Sequence, residues 1–207
     1  MKTIYLIRHS APFVEIANYD DYKNVSWAEY NKNMILSVKG EENAQKLCNI
    51  EEFKKVDDIY ASNSFRAIGT AKYIAEQNNL KIKLDDRINE RELGVEKIKD
   101  LPDNFSDDSF NNKNLKVGFG ESLNEVDTRF KCFINEVLDT DKSNIALFIH
   151  GIILMSYLQT ISKFKYENRK LKIEFNEKLV YNDIMKNPLV FKIYFNENKD
   201  VINIENL

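Results

Sequence analysis

Apolar residues fall along this chain in short blocks whose period switches between that of a strand and that of a helix. Thr3 to Ile7 is a compact β-rich run and reads as a buried strand. Leu36 to Leu47 reads as a helix start with Ser37 as its N-cap. Asp58 to Ala61 suits a second strand, and Ser64 to Ala75 a helix with Ala67, Ala71 and Ile74 on one face. Ile82 to Leu84 is a short strand-like run. The clearest helix spans Leu123 to Leu138, where Leu123, Val126, Phe130, Phe133 and Val137 repeat at helical spacing. Ser122 and Glu125 give that helix a capping box. Ile145 to Ile149 is wholly apolar and strand-like, Ile153 to Ile161 reads as a helix, and Leu189 to Phe195 as a late strand. Strands alternating with helices predict an α/β fold, a three-layer sandwich whose mostly parallel central sheet carries helices on both faces. In such a sheet the site lies beyond the carboxyl ends of the strands.

Two stretches break this rhythm. Ala11 to Met34 is polar and aromatic and holds the lone Trp27, and Val95 to Gly120 is rich in Asp and Asn. Long irregular segments of this kind are either functional lids or ordinary surface insertions. With no repeat and no Pro/Gly/Ser-rich linker, residues 1–207 read as one domain with insertions near 11–34 and 95–120.

Composition narrows the class. The 207 residues are 43% hydrophobic, with 13 Phe and 10 Tyr, enough for a sizeable core. A formal net charge of −3 gives no electrostatic ground for a nucleic-acid partner, so any basic site is a local pocket. Cys48 and Cys132 are the only cysteines, lie far apart, and fit neither a zinc motif nor a disulfide framework. Arg8 interrupts the first apolar run too early for a signal peptide. The longest apolar stretch, Ile145 to Leu158, is short of the about 20 residues that span a membrane. A cytoplasmic protein with no membrane partner is expected.

The chain has two histidines, and each follows an apolar run directly: Tyr5-Leu6-Ile7-Arg8-His9 and Leu147-Phe148-Ile149-His150-Gly151. One histidine at a strand end is usually structural; two in the same setting suggest a shared site. Arg8 adjoins His9, and Arg66 opens the helix after the second strand, where a helix N-terminus and a guanidinium together favour an anion. Two arginines and two histidines at one sheet edge would cradle a tetrahedral phosphoryl group. Asn89-Glu90-Arg91-Glu92-Leu93-Gly94 follows a short strand, and Glu90 or Glu92 is placed to protonate a leaving alkoxide. No His and carboxylate cluster at metal-ligand spacing stands apart from these residues, so neither metal nor cofactor is expected.

Taken in order, these segments resemble the histidine phosphatase superfamily, the group that includes cofactor-dependent phosphoglycerate mutase. Leu6-Ile7-Arg8-His9-Ser10 is similar to its Leu-Val-Arg-His-Gly signature, and Leu36 to Ala44 to its Leu-Thr-x-x-Gly-x-x-Gln-Ala helix start. Ser62 to Ala71 resembles Ser-Pro-x-x-Arg-Ala-x-x-Thr-Ala, with Asn63 in place of proline. Glu90 and Gly94 match its Glu-x-x-x-Gly acid loop, Gly120-Glu121-Ser122 its Gly-Glu-Ser helix start, and His150-Gly151 its second histidine motif.

The resemblance implies roles. His9 is the nucleophile that accepts the phosphoryl group, Arg8, Arg66 and His150 bind its oxygens, and Glu90 protonates the leaving group and then activates water. A metal-independent phosphatase acting on a small phosphorylated substrate is implied. Two positions depart from the pattern. Ser10 stands where the signature has glycine and is placed with Arg8 and Arg66 in the phosphate-binding set, its hydroxyl adding or blocking a contact. Pro12 and Glu15 stand where the family often has threonine and asparagine.

Mutases of this family are generally longer and close the site with a C-terminal tail. Here the sequence stops soon after its late strand with no basic tail, which favours hydrolysis over a phosphoglycerate mutase-type transfer. A catalytically silent phosphate-binding regulatory module would keep the pocket and lose one of His9, Arg8, Arg66, Glu90 or His150, and all are present. A dinucleotide-binding domain would need a G-x-G-x-x-G after the first strand, which is missing.

Overall fold

A computed structural model describes residues 1–13, 25–167 and 170–207. Its main sheet has six strands in the order β3-β2-β4-β1-β8-β9. They are β1 (Lys2–Arg8), β2 (Asp58–Ala61), β3 (Lys83–Leu84), β4 (Asn144–Ile149), β8 (Leu189–Phe195) and β9 (Val201–Asn206). The pairs β1–β4, β4–β2 and β2–β3 are parallel, while β8 runs against both β1 and β9. Every strand but β8 therefore points the same way.

The pleat sorts side chains onto two cores. Ile4, Leu6, Ile145, Leu147 and Ile149 face a layer built by α5 (Leu123–Asp139) and α6 (Gly151–Ile161). Tyr5, Ile7, Ala146 and Phe148 face α2 (Val38–Lys46) and α3 (Phe65–Gln77), with Phe53 between them. Since both faces of β1 and β4 are covered, Ile4–Ile7 and Ile145–Ile149 are apolar runs rather than alternating ones. The expected sandwich is the fold observed. Ser37 caps α2 by accepting from Gly40 N, and Ser122 and Glu125 form the capping box of α5.

A second, three-stranded antiparallel sheet is not signalled by the sequence reading. Its strands are β5 (Lys163–Glu167), β6 (Lys170–Phe175) and β7 (Lys178–Ile184). Leu171, Ile173 and Tyr181 turn inward, while Lys163, Lys165, Lys170 and Lys172 stay in solvent. Alternation with lysine keeps the local hydrophobicity low, so the period-2 signal is weak. In the main sheet, β9 is missed for a similar reason, with Asn203, Glu205 and Asn206 diluting Val201 and Ile204.

Of the first irregular stretch, residues 26–29, 31 and 32 line the cavity into which His150 faces. The first contains the short helix α1 (Trp27–Asn33), capped by Ser26; Glu15 lies outside the described residues. The second contains α4 (Phe105–Asn111), and Trp27 N donates to Glu96 O at 2.8 Å, joining the two stretches. Lys113 reaches Asp127 at 3.2 Å and Lys116 reaches Glu125 at 2.8 Å, which fastens the second stretch to α5. No helix among the described residues is long and apolar enough to cross a membrane.

Candidate active site

Parallel pairing brings the two histidines together. Arg8 stands opposite Ile149 in the β1–β4 register, so the residues that leave the two strands next, His9 and His150, emerge side by side. His9 N continues the ladder to Ile149 O at 2.9 Å, and Ser62 N does the same to Phe148 O at 3.0 Å. The imidazole centroids are 5.2 Å apart. From the end of β2 the chain turns into α3, whose second residue is Arg66.

Arg66 joins the site. Its Nε donates to His9 Nε2 at 3.1 Å and its Nη2 to His150 Nδ1 at 2.9 Å. A guanidinium has donors only, so both ring nitrogens must present lone pairs, and the tautomers follow. His9 Nδ1 carries its proton and donates to Ser10 O at 2.8 Å. His150 Nε2 carries its own and donates to Ser62 Oγ at 2.7 Å. Burial holds both imidazoles well below their ordinary pKa, and the neighbouring guanidinium of Arg66 acts in the same direction. Arg66 Nη1 donates to Asn31 O in α1, so the helix over the site rests on the same side chain.

Glu90 comes from the loop after β3. Its Oε2 lies 3.9 Å from His150 Nδ1, and its Oε1 accepts from Arg91 N at 3.0 Å. Burial raises its pKa, opposed by the charges of Arg66, Arg8 and Arg129, so the acid form persists above the ordinary carboxylate range. Glu92 is exposed at the mouth of the same cavity. That cavity, about 360 Å³, is lined by His150, Arg66, Glu90, Ser62 and Ser64 within and by Trp27, Lys32 and Asn89 among others outside.

Arg8 is placed differently from Arg66. Its Nη1 donates to the carbonyls of Met185 and Lys186, both at 3.1 Å, and its buried Nε has no partner. A Cβ at Gly151 would come within 3.2 Å of that Nε, so glycine leaves the guanidinium room. Ser10 does not join the phosphate-binding set as expected. Its hydroxyl donates to Gly40 O at 2.7 Å, its N–H to Thr70 Oγ1 at 2.9 Å, and the residue is fully buried. The position ties the His9 loop to α2 and α3.

Several contributors escape sequence reasoning. Asn187 Nδ2 donates to His9 O at 3.0 Å from far along the chain, with no motif to mark it. Buried Arg91 donates to Glu121 O, Ser109 Oγ and Leu115 O, fixing the acid loop to the second irregular stretch. Gly94, matched in the acid-loop motif, has φ +72°, and a Cβ there would lie 2.0 Å from Val117 O and 2.3 Å from Gly120 N. Gly94→Ala is expected to cost more than the about 1–2 kcal/mol of a left-handed alanine, because residues 117–120 must also move. Thermal melting checks the stability, and slowed turnover of poorly activated esters would show that the acid loop has shifted.

Among the described residues no group of three or more His, Cys, Asp or Glu is placed to hold a metal ion. The arrangement gathers a guanidinium, two buried imidazoles and a carboxyl of raised pKa at one end of the sheet, a set able to bind an anionic tetrahedral group and to move a proton.

The model of the histidine phosphatase superfamily, branch 1, matches residues 4–184. Among solved structures, a mycobacterial hydrolase aligns with a TM-score of 0.70 at 15% identity, covering 100% of this chain and 98% of its own. A mycobacterial glucosyl-3-phosphoglycerate phosphatase aligns at 0.68 and 15%, covering 100% and 97%. A putative α-ribazole-5'-P phosphatase from Escherichia coli aligns at 0.60 and 16%, covering 89% and 97%. At these identities the structural likenesses speak to the fold. No curated protein matches the sequence.

Proposed function

This chain belongs to the histidine phosphatase superfamily, and from that premise we propose that it hydrolyses a small phosphate monoester through a phosphohistidine on His9, without a metal ion. The observation that carries this reading is Arg66 donating to His9 Nε2 and His150 Nδ1 at once, with Glu90 3.9 Å from His150. A phosphoryl group entering between the rings offers oxygens to the same donors. Arg66 passes its N–H groups from the imidazoles to those oxygens, which frees the Nε2 lone pair for in-line attack. The His9 Nε2–P bond forms, the P–O bond to the alcohol breaks, and Glu90 gives the alkoxide its proton. The resulting Glu90 carboxylate then takes a proton from water, which attacks phosphorus and restores His9. Arg66 and the partnerless Nε of Arg8 supply the fixed positive charge that the transition state needs.

Hydrolysis is favoured over phosphoryl transfer between two ends of a substrate. A transferase of that kind must hold a second anion. Of the described lining residues, Lys32 is the only cation besides Arg66 and Arg91, and Arg91 is engaged with Glu121, Ser109 and Leu115. Lys32 shares the mouth with Glu29 and Glu92. Ser26, Asn31, Asn63 and Asn89 add amide and hydroxyl groups to a wall that also holds Trp27, Ala28 and Leu93. Such a wall suits a neutral, hydroxyl-rich leaving group such as a sugar better than one carrying a second phosphate.

A panel of phosphate esters tested with wild type and His9→Ala in parallel decides the matter. Release of phosphate by wild type alone is the expected result. Activity should survive a chelator unchanged. Vanadate should inhibit competitively, because its five-coordinate form resembles the transferring phosphoryl group. Loss of activity in chelator with recovery on adding Mg²⁺ or Zn²⁺, or full activity at high vanadate, would reject the mechanism.

A further inference from the structure

Glu90 sits in a stretch with no helix or strand, between the 3₁₀ turn Asp86–Ile88 and Gly94, so no ladder of backbone bonds fixes it. A pair of side chains does this instead. Arg129, on the second turn of α5, meets Glu121 through two bonds, Nε to Oε1 at 2.6 Å and Nη2 to Oε2 at 2.8 Å. Two further donors of Arg129 go to main-chain carbonyls, Nη1 to Arg87 O at 2.7 Å and Nη2 to Glu90 O at 3.4 Å. Glu121 holds the other side of Glu90, with its Oε2 accepting from Glu92 N at 3.0 Å and its own N–H donating to Glu92 O at 2.7 Å. Glu121 lies just before the capping box of α5, which ties this support to a long buried helix.

We propose that Glu121 and Arg129 are positioning residues, a carboxylate–guanidinium clamp that grips the backbone on both sides of Glu90 and sets where the proton donor stands. The inference rests on the reading of Glu90 as that donor. The clamp does two separable things. Its geometry places the carboxyl relative to His150 and the leaving oxygen. The charge of Arg129 favours the Glu90 carboxylate, alongside Arg8 and Arg66 and the bond from Arg91 N, with His150 facing the same carboxyl. A lysine at 129 keeps the charge but cannot reproduce a planar fork that meets a carboxylate and two carbonyls.

The test compares an alkyl phosphate with an aryl phosphate whose leaving group needs little protonation. Arg129→Lys is expected to lower kcat/KM on the alkyl ester by about 10- to 100-fold, part of the usual yield of general acid catalysis. On the aryl ester kcat/KM, which reports only the steps up to the phosphoenzyme, should change by less than about threefold because Arg66 and His150 are untouched, while slower breakdown lowers kcat on both esters. Glu121→Gln should act in the same direction. Arg129→Met, with the charge gone, should also move the high-pH fall in alkyl-ester activity to higher pH, whereas Arg129→Lys leaves it in place. The double variant E121R/R129E restores an ion pair but not the donors to Arg87 O and Glu90 O, so it should not rescue. Melting curves establish that each variant is folded, and Glu121→Gln carries the comparison if the lysine variant is not. A folded variant whose alkyl-to-aryl ratio equals that of wild type, or rescue by the swap, overturns the clamp. Wild-type protein that hydrolyses no ester overturns instead the function on which it rests.

Discussion

Replacing His9 with alanine is expected to lower kcat by at least about 10⁴-fold, since the covalent route is lost. The change should be mild for the fold. The contacts of His9 to Ile149 O and from Asn187 Nδ2 are made by its main chain, and alanine keeps both. Arg66 and His150 remain to bind phosphate, so inhibition by phosphate should stay within about tenfold of wild type while turnover vanishes. That split, loss of kcat with binding kept, marks removal of an interaction made only in the transition state. Residual turnover within tenfold of wild type would mean that another group is the nucleophile.

Glu90→Gln should give the second large effect and a more selective one. On alkyl esters kcat is expected to fall by about 10²- to 10⁴-fold, and on an activated aryl ester far less during formation of the phosphoenzyme. Breakdown of that intermediate should slow on either ester, because the same carboxylate activates water. The pH profile offers an independent reading. Burial raises the Glu90 pKa, so its proton-donating form survives past the usual carboxylate range and is lost as pH rises through the raised value. Wild-type activity on alkyl esters should therefore fall on that high-pH side, and the fall should be absent in Glu90→Gln. The acid-side loss should come only well below the ordinary histidine range, because His9 and His150 are held unprotonated. Glu92→Gln should leave both substrates nearly unchanged, as Glu92 is exposed at the cavity mouth. If the two glutamine variants exchange behaviour, the proton comes from Glu92.

What was legible in the sequence follows a physical division. Strands buried on both faces, such as Ile145–Ile149, are wholly apolar and stand out, and so does the α5 stripe from Leu123 to Val137 with its capping box. The placement of His9 and His150 at strand ends hinted at a shared site, but their neighbourhood depends on the Arg8–Ile149 register, a long-range pairing that local pattern does not contain. The β5–β7 sheet was hidden because its outward positions are lysines. Ser10 misled because residue type gives no direction: its hydroxyl turns beneath α2 to Gly40 O. Asn187 and Arg129 act on main-chain carbonyls, where residue spacing carries no signature. Glu15, the carboxylate at the position where asparagine is usual, lies outside the described residues.

The central claim is a phosphoryl group on His9, and rapid quenching tests it most directly. Enzyme turning over an aryl phosphate is quenched in alkali, where phosphohistidine survives and serine esters are distinguishable from it, digested, and mapped by mass spectrometry. Phosphate on the peptide that carries His9, forming at least as fast as turnover and absent in His9→Ala, is the expected result. Turnover with no label on His9 at any time, or label on Ser62 or Ser64 instead, would contradict the account.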